Sequence, residues 1–146
     1  RDLHSFPTRR SSDLGQVLSD DLKDHNGAIT SLNHALTLSP EKADFHTALG
    51  LAFYQLQKMP AALDSFRRAV ALNPRDATAR YNEACVLSIL GKHEDALMSL
   101  QEAIALDVRL QKDAIVDADF AQLRDIPKFQ NLIKKPQNNA ATEVRR

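Results

Sequence analysis

The sequence predicts an all-α fold, an α-solenoid of antiparallel helix hairpins. Three observations carry that expectation. Segments of the chain align with one another at steps of 34 residues without a gap. Each aligned unit holds two apolar stripes at helical spacing. The 146 residues also include only four Gly, no Trp and 5% aromatics, a balance that favours helix over sheet. A single helical hairpin cannot bury its apolar faces alone, so repeated hairpins must stack into a solenoid.

Residues 1–14, "RDLHSFPTRRSSDL", stand outside the repeat. Arg9, Arg10, Ser11 and Ser12 suggest at first a basic-directed kinase site or a twin-arginine export signal. Back-translation of all fourteen residues instead matches a common short-read sequencing adapter read in one frame. The segment is expected to be a non-native artefact and is set aside as a fusion scar would be. Native sequence is then expected from Gly15, with the true N-terminus missing.

Residues 15–42 form a partial first copy. "GQVLSDDLKDHN" supplies only the end of a first helix, with Leu18 and Leu22 at i, i+4, and "GAITSLNHALTLSP" (27–40) is its second helix. The second copy spans 43–76, with helices expected in "ADFHTALGLAFYQLQ" (43–57) and "AALDSFRRAVALNP" (61–74). The third spans 77–110, with helices in "ATARYNEACVLSILG" (77–91) and "DALMSLQEAIALDV" (95–108). In the second helices Ala28, Ala62 and Ala96 fall in register. So do Ser31, Ser65 and Ser99; Leu32, Phe66 and Leu100; Ala35, Ala69 and Ala103; and Leu38, Leu72 and Leu106. Apolar residues at such intervals lie on one helical stripe. Pro40 and Pro74 stop the first two of these helices, and Val108 stands where a third proline would be.

Beyond Val108 the register fades. In residues 111–135, Phe120, Leu123, Phe129, Leu132 and Ile133 keep helical spacing, with Pro127 between two short helices and Asp125 as the expected N-cap of the second. These residues are expected to cap the apolar end of the array. "PQNNAATEVRR" (136–146) has no periodicity and is expected to be a disordered tail.

The 34-residue helix pair resembles the tetratricopeptide repeat. The second copy matches best, with Leu49-Gly50, Phe53, Ala62, Phe66, Ala69 and Pro74 in the family's signature places and His46 where Trp is frequent. The third copy departs from it, with Glu83 replacing Leu on the packed face and Ala84 replacing Gly. Glu83 is expected to carry its carboxylate to the edge of the array. "DADFAQLRDIPKFQNL" resembles a segment that closes many such arrays. The resemblance implies a right-handed superhelix with first helices lining its concave side. It also implies binding of a protein or peptide partner there, on a strip of Asp44, Thr47, Leu51, Tyr54, Thr78, Tyr81, Asn82, Cys85 and Ser88. An alternative is that Tyr81 and Leu51 merely pack on the closing segment.

Composition narrows the function classes. Nineteen basic and nineteen acidic residues give a net charge of zero. Setting aside Arg1, Arg9, Arg10, Asp2 and Asp13 changes that only to −1, so no long-range field draws the chain to nucleic acid or an anionic membrane. The single cysteine, Cys85, excludes a disulfide framework within the chain and is expected to be a packed, reduced thiol. No H-E-x-x-H, phosphate-cradling glycine loop or nucleophile elbow is present. His25 and His93 sit at equivalent turn positions, as repetition rather than as a metal pair. The expectation is therefore a binding module, not an enzyme, with no cofactor or metal. It is a protein-interaction scaffold or, alternatively, the C-terminal accessory region of a larger enzyme. A chaperone-type clamp for a C-terminal carboxylate is disfavoured, because Asn82 alone matches its pattern and the lysines it needs are absent from the strip. The default compartment is cytoplasmic.

Overall fold

The computed structural model describes residues 24–134. The segment 1–14, the helix end at Leu18 and Leu22 and the tail 136–146 lie outside the described residues. Among the described residues there are seven α-helices, one 3-10 helix and no strand. These are α1 (His25–Leu38), α2 (Ala43–Gln55), α3 (Met59–Leu72), α4 (Ala77–Ile89), α5 (His93–Leu106), α6 (Leu110–Val116), the 3-10 helix (Ala118–Leu123) and α7 (Pro127–Lys134). None is long and apolar enough to cross a membrane. Helix α2 pairs with α3 and α4 with α5, while α1 packs on α2, α3 on α4 and the 3-10 helix on α4.

Local chemistry explains the helix ends. Asp24 caps α1 by accepting from the Gly27 amide at 2.9 Å. Asp76 caps α4 by accepting from the Thr78 and Ala79 amides. Lys42, 34 residues earlier, has nearly the same backbone geometry as Asp76 but makes no side-chain cap. At the other end of α2, Gln57 takes a left-handed φ of 59°, and its repeat equivalent Gly91 takes 78°. The Lys58 and Lys92 amides reach back to the Phe53 and Leu87 carbonyls, closing both helices in the same Schellman turn. Without a proline, α5 stops because the Asp107 carboxylate takes the Arg109 amide and guanidinium.

Packing follows the repeat. Phe66, Ala62 and Ala69 of α3 and Leu100, Ala96 and Ala103 of α5 are fully buried. Gly50 lies so close to Phe66 that a Cβ there would stand 2.6 Å from its ring. Copy three has Ala84 and the smaller Leu100 at the equivalent positions. His46 Nε2 and Arg80 Nε, also equivalent, each contact the carbonyl of the preceding loop proline, Pro40 and Pro74, at 3.0 Å. Phe53 joins the core around Leu32, Ala48 and Leu49 to the larger one running from Leu51 to Phe129.

Three expectations need correction. Leu38, Leu72 and Leu106 are in register but exposed, Leu38 by 75%. They lie ten residues past Ala28, Ala62 and Ala96, which is about 80° off the packed stripe. Glu83 does not extend into open solvent but is held between neighbouring helices. Its side chain, 12% exposed, accepts from Ser99 and lies 3.6 Å from Arg67 Nε, and burial raises its pKa against the opposing pull of those partners. Two short helices do flank this break, but Pro127 is the first residue of the second, α7, so the position before the helix belongs to Ile126, whose carbonyl accepts from Gln130, and not to Asp125.

Candidate functional site

The two first helices present matching faces. On α2 these are Asp44, Thr47, Leu51 and Tyr54, and on α4 Thr78, Tyr81, Cys85 and Ser88, spaced by three and four residues so that each set shares one side. Asp44 is exposed and Thr78 half-buried. Thr47 is buried with its hydroxyl turned back to the Ala43 carbonyl of its own helix. Leu51, Tyr54, Tyr81, Cys85 and Ser88 are buried.

The chain itself covers the lower half of this strip. The 3-10 helix and its cap, residues 117–123, lie against α4 and reach α2. Tyr81 Oη donates to Asp117 Oδ2 at 2.8 Å. Ser88 Oγ donates to the Asp119 backbone carbonyl at 2.7 Å. Tyr54 Oη lies 2.9 Å from both Asp119 carboxylate oxygens. The Phe120 ring meets Tyr81 edge-on, 5.5 Å between centroids, and leans on Phe129. Asp117 also caps the turn by accepting from the Asp119 amide, and Arg124 holds the Asp117 carbonyl from outside. Sequence reasoning assigned this segment to capping but missed Asp117 and Asp119 as partners of the strip. Their D-x-D-F spacing was the available signal.

Burial sets the electrostatics. Desolvation, reinforced by Cys85 and Asp117, holds the Tyr81 hydroxyl protonated far above its ordinary range. Desolvation and the two aspartates likewise push up the Cys85 thiol. Asp117 is raised to about 7, chiefly by desolvation, against lowering by its hydrogen bonds. Cys85 Sγ and a carboxylate oxygen of each aspartate lie within 4.8 Å of one another. These are metal-ligating atom types, but hydroxyls and an amide already donate to the carboxylates, and a thiol pushed upward resists forming the thiolate a metal requires. The cluster is a hydrogen-bonded one.

Asn82 is fully buried beside Tyr81 in sequence, and its side-chain amide has no hydrogen-bond partner among the described residues. Two separate pockets open nearby, and only the first borders the covering segment. One, 490 Å³, is lined by Tyr54, Gln55, Gln57, Met59, Ile89 and Asp119. The other, 370 Å³, lies on the α5–α7 seam around Leu97, Met98, Lys128 and Leu132.

Comparison with known proteins places this architecture. A family model described as "TPR repeat" matches residues 21–57, and a second, "Tetratricopeptide repeat", matches residues 47–114. Tetratricopeptide repeat protein 28 of Homo sapiens is 29% identical over 116 residues, 76% of this chain and 5% of that protein. Superkiller protein 3 of Schizosaccharomyces pombe is 31% identical over 90 residues, 62% of this chain and 6% of that protein. The chain thus spans about a twentieth of the length of these relatives. A crystal structure of MamA superposes with a TM-score of 0.69 at 25% identity, covering 87% of this chain and 77% of that one. With the two models together accounting for residues 21–114, the chain belongs to the tetratricopeptide repeat family.

Proposed function

We propose that the chain is a non-catalytic protein-interaction scaffold whose first-helix strip receives a peptide or helix of a partner. Its repeats and its relatives support interaction in general. The observation that supports the strip in particular is chemical: hydroxyls of Tyr54, Tyr81 and Ser88, from two successive first helices, all donate to one short chain segment. A surface that orders a turn of its own chain through side-chain donors and an aromatic edge has the means to order a partner's. Nucleic acid is not favoured by a chain of zero net charge.

The test uses peptides selected from a displayed random library on the full chain. Asp44→Arg and Thr78→Arg add bulk and charge to the upper strip without entering the core. Each is expected to weaken the selected peptide at least tenfold with melting unchanged. Unaltered binding in both variants overturns the reading. A second reading, an accessory region of a larger enzyme, draws on the small fraction of its relatives' length that the chain spans. The gene sequence upstream of Gly15 tests it, and further 34-residue periods without a catalytic motif would count against it.

A further inference from the structure

We propose that residues 117–123 are a displaceable strap, an internal occupant of the strip that a partner segment of the same chemistry must replace. That chemistry is two carboxyl side chains two residues apart followed directly by an aromatic. The inference rests on the peptide-binding reading above and deepens it by naming the partner class.

The strap is held as a ligand is held. Tyr54 and Tyr81 donate to the Asp119 and Asp117 carboxylates, Ser88 donates to the Asp119 carbonyl, and Cys85 Sγ lies 3.9 Å from Asp117. Phe120 and Leu123 are fully buried in the core, Phe120 beside the Tyr81 ring. No cation of the strip takes part in these contacts. A partner is thus selected by hydroxyl donors, which demand placement of each acceptor, rather than by a diffuse basic field. The backbone of the strap closes on itself as a 3-10 turn capped by Asp117, so a free peptide of this sequence has a local reason to adopt the bound shape. The 490 Å³ pocket beside Tyr54 and Asp119 adjoins the strap's edge. It is a foothold from which a competing segment can reach Tyr54 before the strap has left Tyr81. The connection back to α6 runs through Val116, which is 79% exposed, so release of the turn does not have to drag a buried residue on that side.

Cys85 makes the opening measurable. It is the sole cysteine of the chain, it has no exposed surface, and it lies 3.9 Å from Asp117 under the strap. Alkylation of Cys85 by a small thiol reagent therefore reports strap release. In the full-length chain, labelling is expected at least tenfold faster than global unfolding allows and insensitive to low urea. Phe120→Ala is expected to speed it further. If that variant does not fold, Asp119→Ala, at a half-buried site, takes its place. The heptapeptide Asp-Ala-Asp-Phe-Ala-Gln-Leu, capped at both ends, is expected to slow labelling of the strap variant at least fivefold. The scrambled peptide and the one with Phe replaced by Ala are expected to leave it unchanged.

Labelling that tracks global unfolding in every protein overturns the strap, as does failure of the heptapeptide to protect the variant. The two readings separate cleanly. If a library-selected peptide protects Cys85 where the heptapeptide does not, the named chemistry falls and the strip survives. If neither protects, the strap falls, and the strip reading stands or falls on the Asp44→Arg and Thr78→Arg variants.

Discussion

Asp117 should tie the stability of this array to pH with a definite sign. Its carboxyl is buried under α4, faced by Tyr81 and Cys85 from that helix and by Asp119 from its own turn. Burial raises its folded pKa to about 7, whereas an unfolded aspartate titrates near ~3.9. The folded state therefore holds the proton more tightly. The resulting stabilisation is fully present below about pH 4 and is lost as pH rises through about 7. Between pH 5.5 and 8.5 the proton-binding factor of the folded state falls from roughly 30 to about 1, a loss of about 2 kcal/mol.

Asp117→Asn isolates this quantity. The amide is neutral at every pH, its Oδ1 can still accept from the Asp119 amide, and its Nδ2 can donate to Tyr81 Oη. Urea unfolding of both proteins at pH 5.5 and 8.5 should show the wild type losing about 2 kcal/mol relative to the variant as pH rises. Contributions from the other carboxylates and the histidines are common to both proteins and cancel. Parallel pH profiles, or a wild type that gains on the variant at high pH, would refute the buried, proton-binding Asp117 argued here.

Three further outcomes test the packing. Gly50→Ala should destabilise, because overpacking of about 1–3 kcal/mol against the buried Phe66 ring exceeds the roughly 1 kcal/mol that Ala gains over Gly in a helix. Adding Phe66→Leu, which recreates the Ala84–Leu100 combination of the third copy, should recover at least about 1 kcal/mol beyond additivity in urea unfolding, and strictly additive singles would count against the contact. Lys42→Asp should stabilise by about 1 kcal/mol in thermal or urea melts, by giving α2 the cap that Asp76 gives α4 from matching backbone geometry. Asn82→Leu should be neutral or stabilising by about 1 kcal/mol, since it removes a buried amide with no partner among the described residues. A large loss on that substitution would mean that the amide is satisfied.

Much of this architecture was legible because it is periodic. Ala62, Phe66 and Ala69 announce a packed helix face by spacing alone, and the recurrence of the same pattern 34 residues later announces stacking. The stops at Pro40 and Pro74 are equally local. Where the reading slipped, the 34-residue register did not by itself say which way a side chain faces or what it meets. Leu106 keeps register but points off the stripe, and Glu83 is held by Ser99 and Arg67 rather than extended into open solvent. Nothing local distinguishes a carboxylate that reaches solvent from one caught between two neighbouring helices.

The strip shows the same division. Spacing along α2 and α4 was enough to place Tyr54, Tyr81, Cys85 and Ser88 on one side, since 3.6 residues per turn is a property of the backbone. What meets that side was settled only by the tertiary structure. Asp117 lies 36 residues from Tyr81, and Asp119 lies 65 from Tyr54. These pairs belong to no repeat and share no period. A hydroxyl donor and the carboxylate that accepts from it carry no mark of each other in one dimension. They are matched only when the array curves and the chain returns across it, which is why the sequence by itself determined the solenoid and its faces while folding alone decided that the chain's own D-x-D-F turn fills the lower strip.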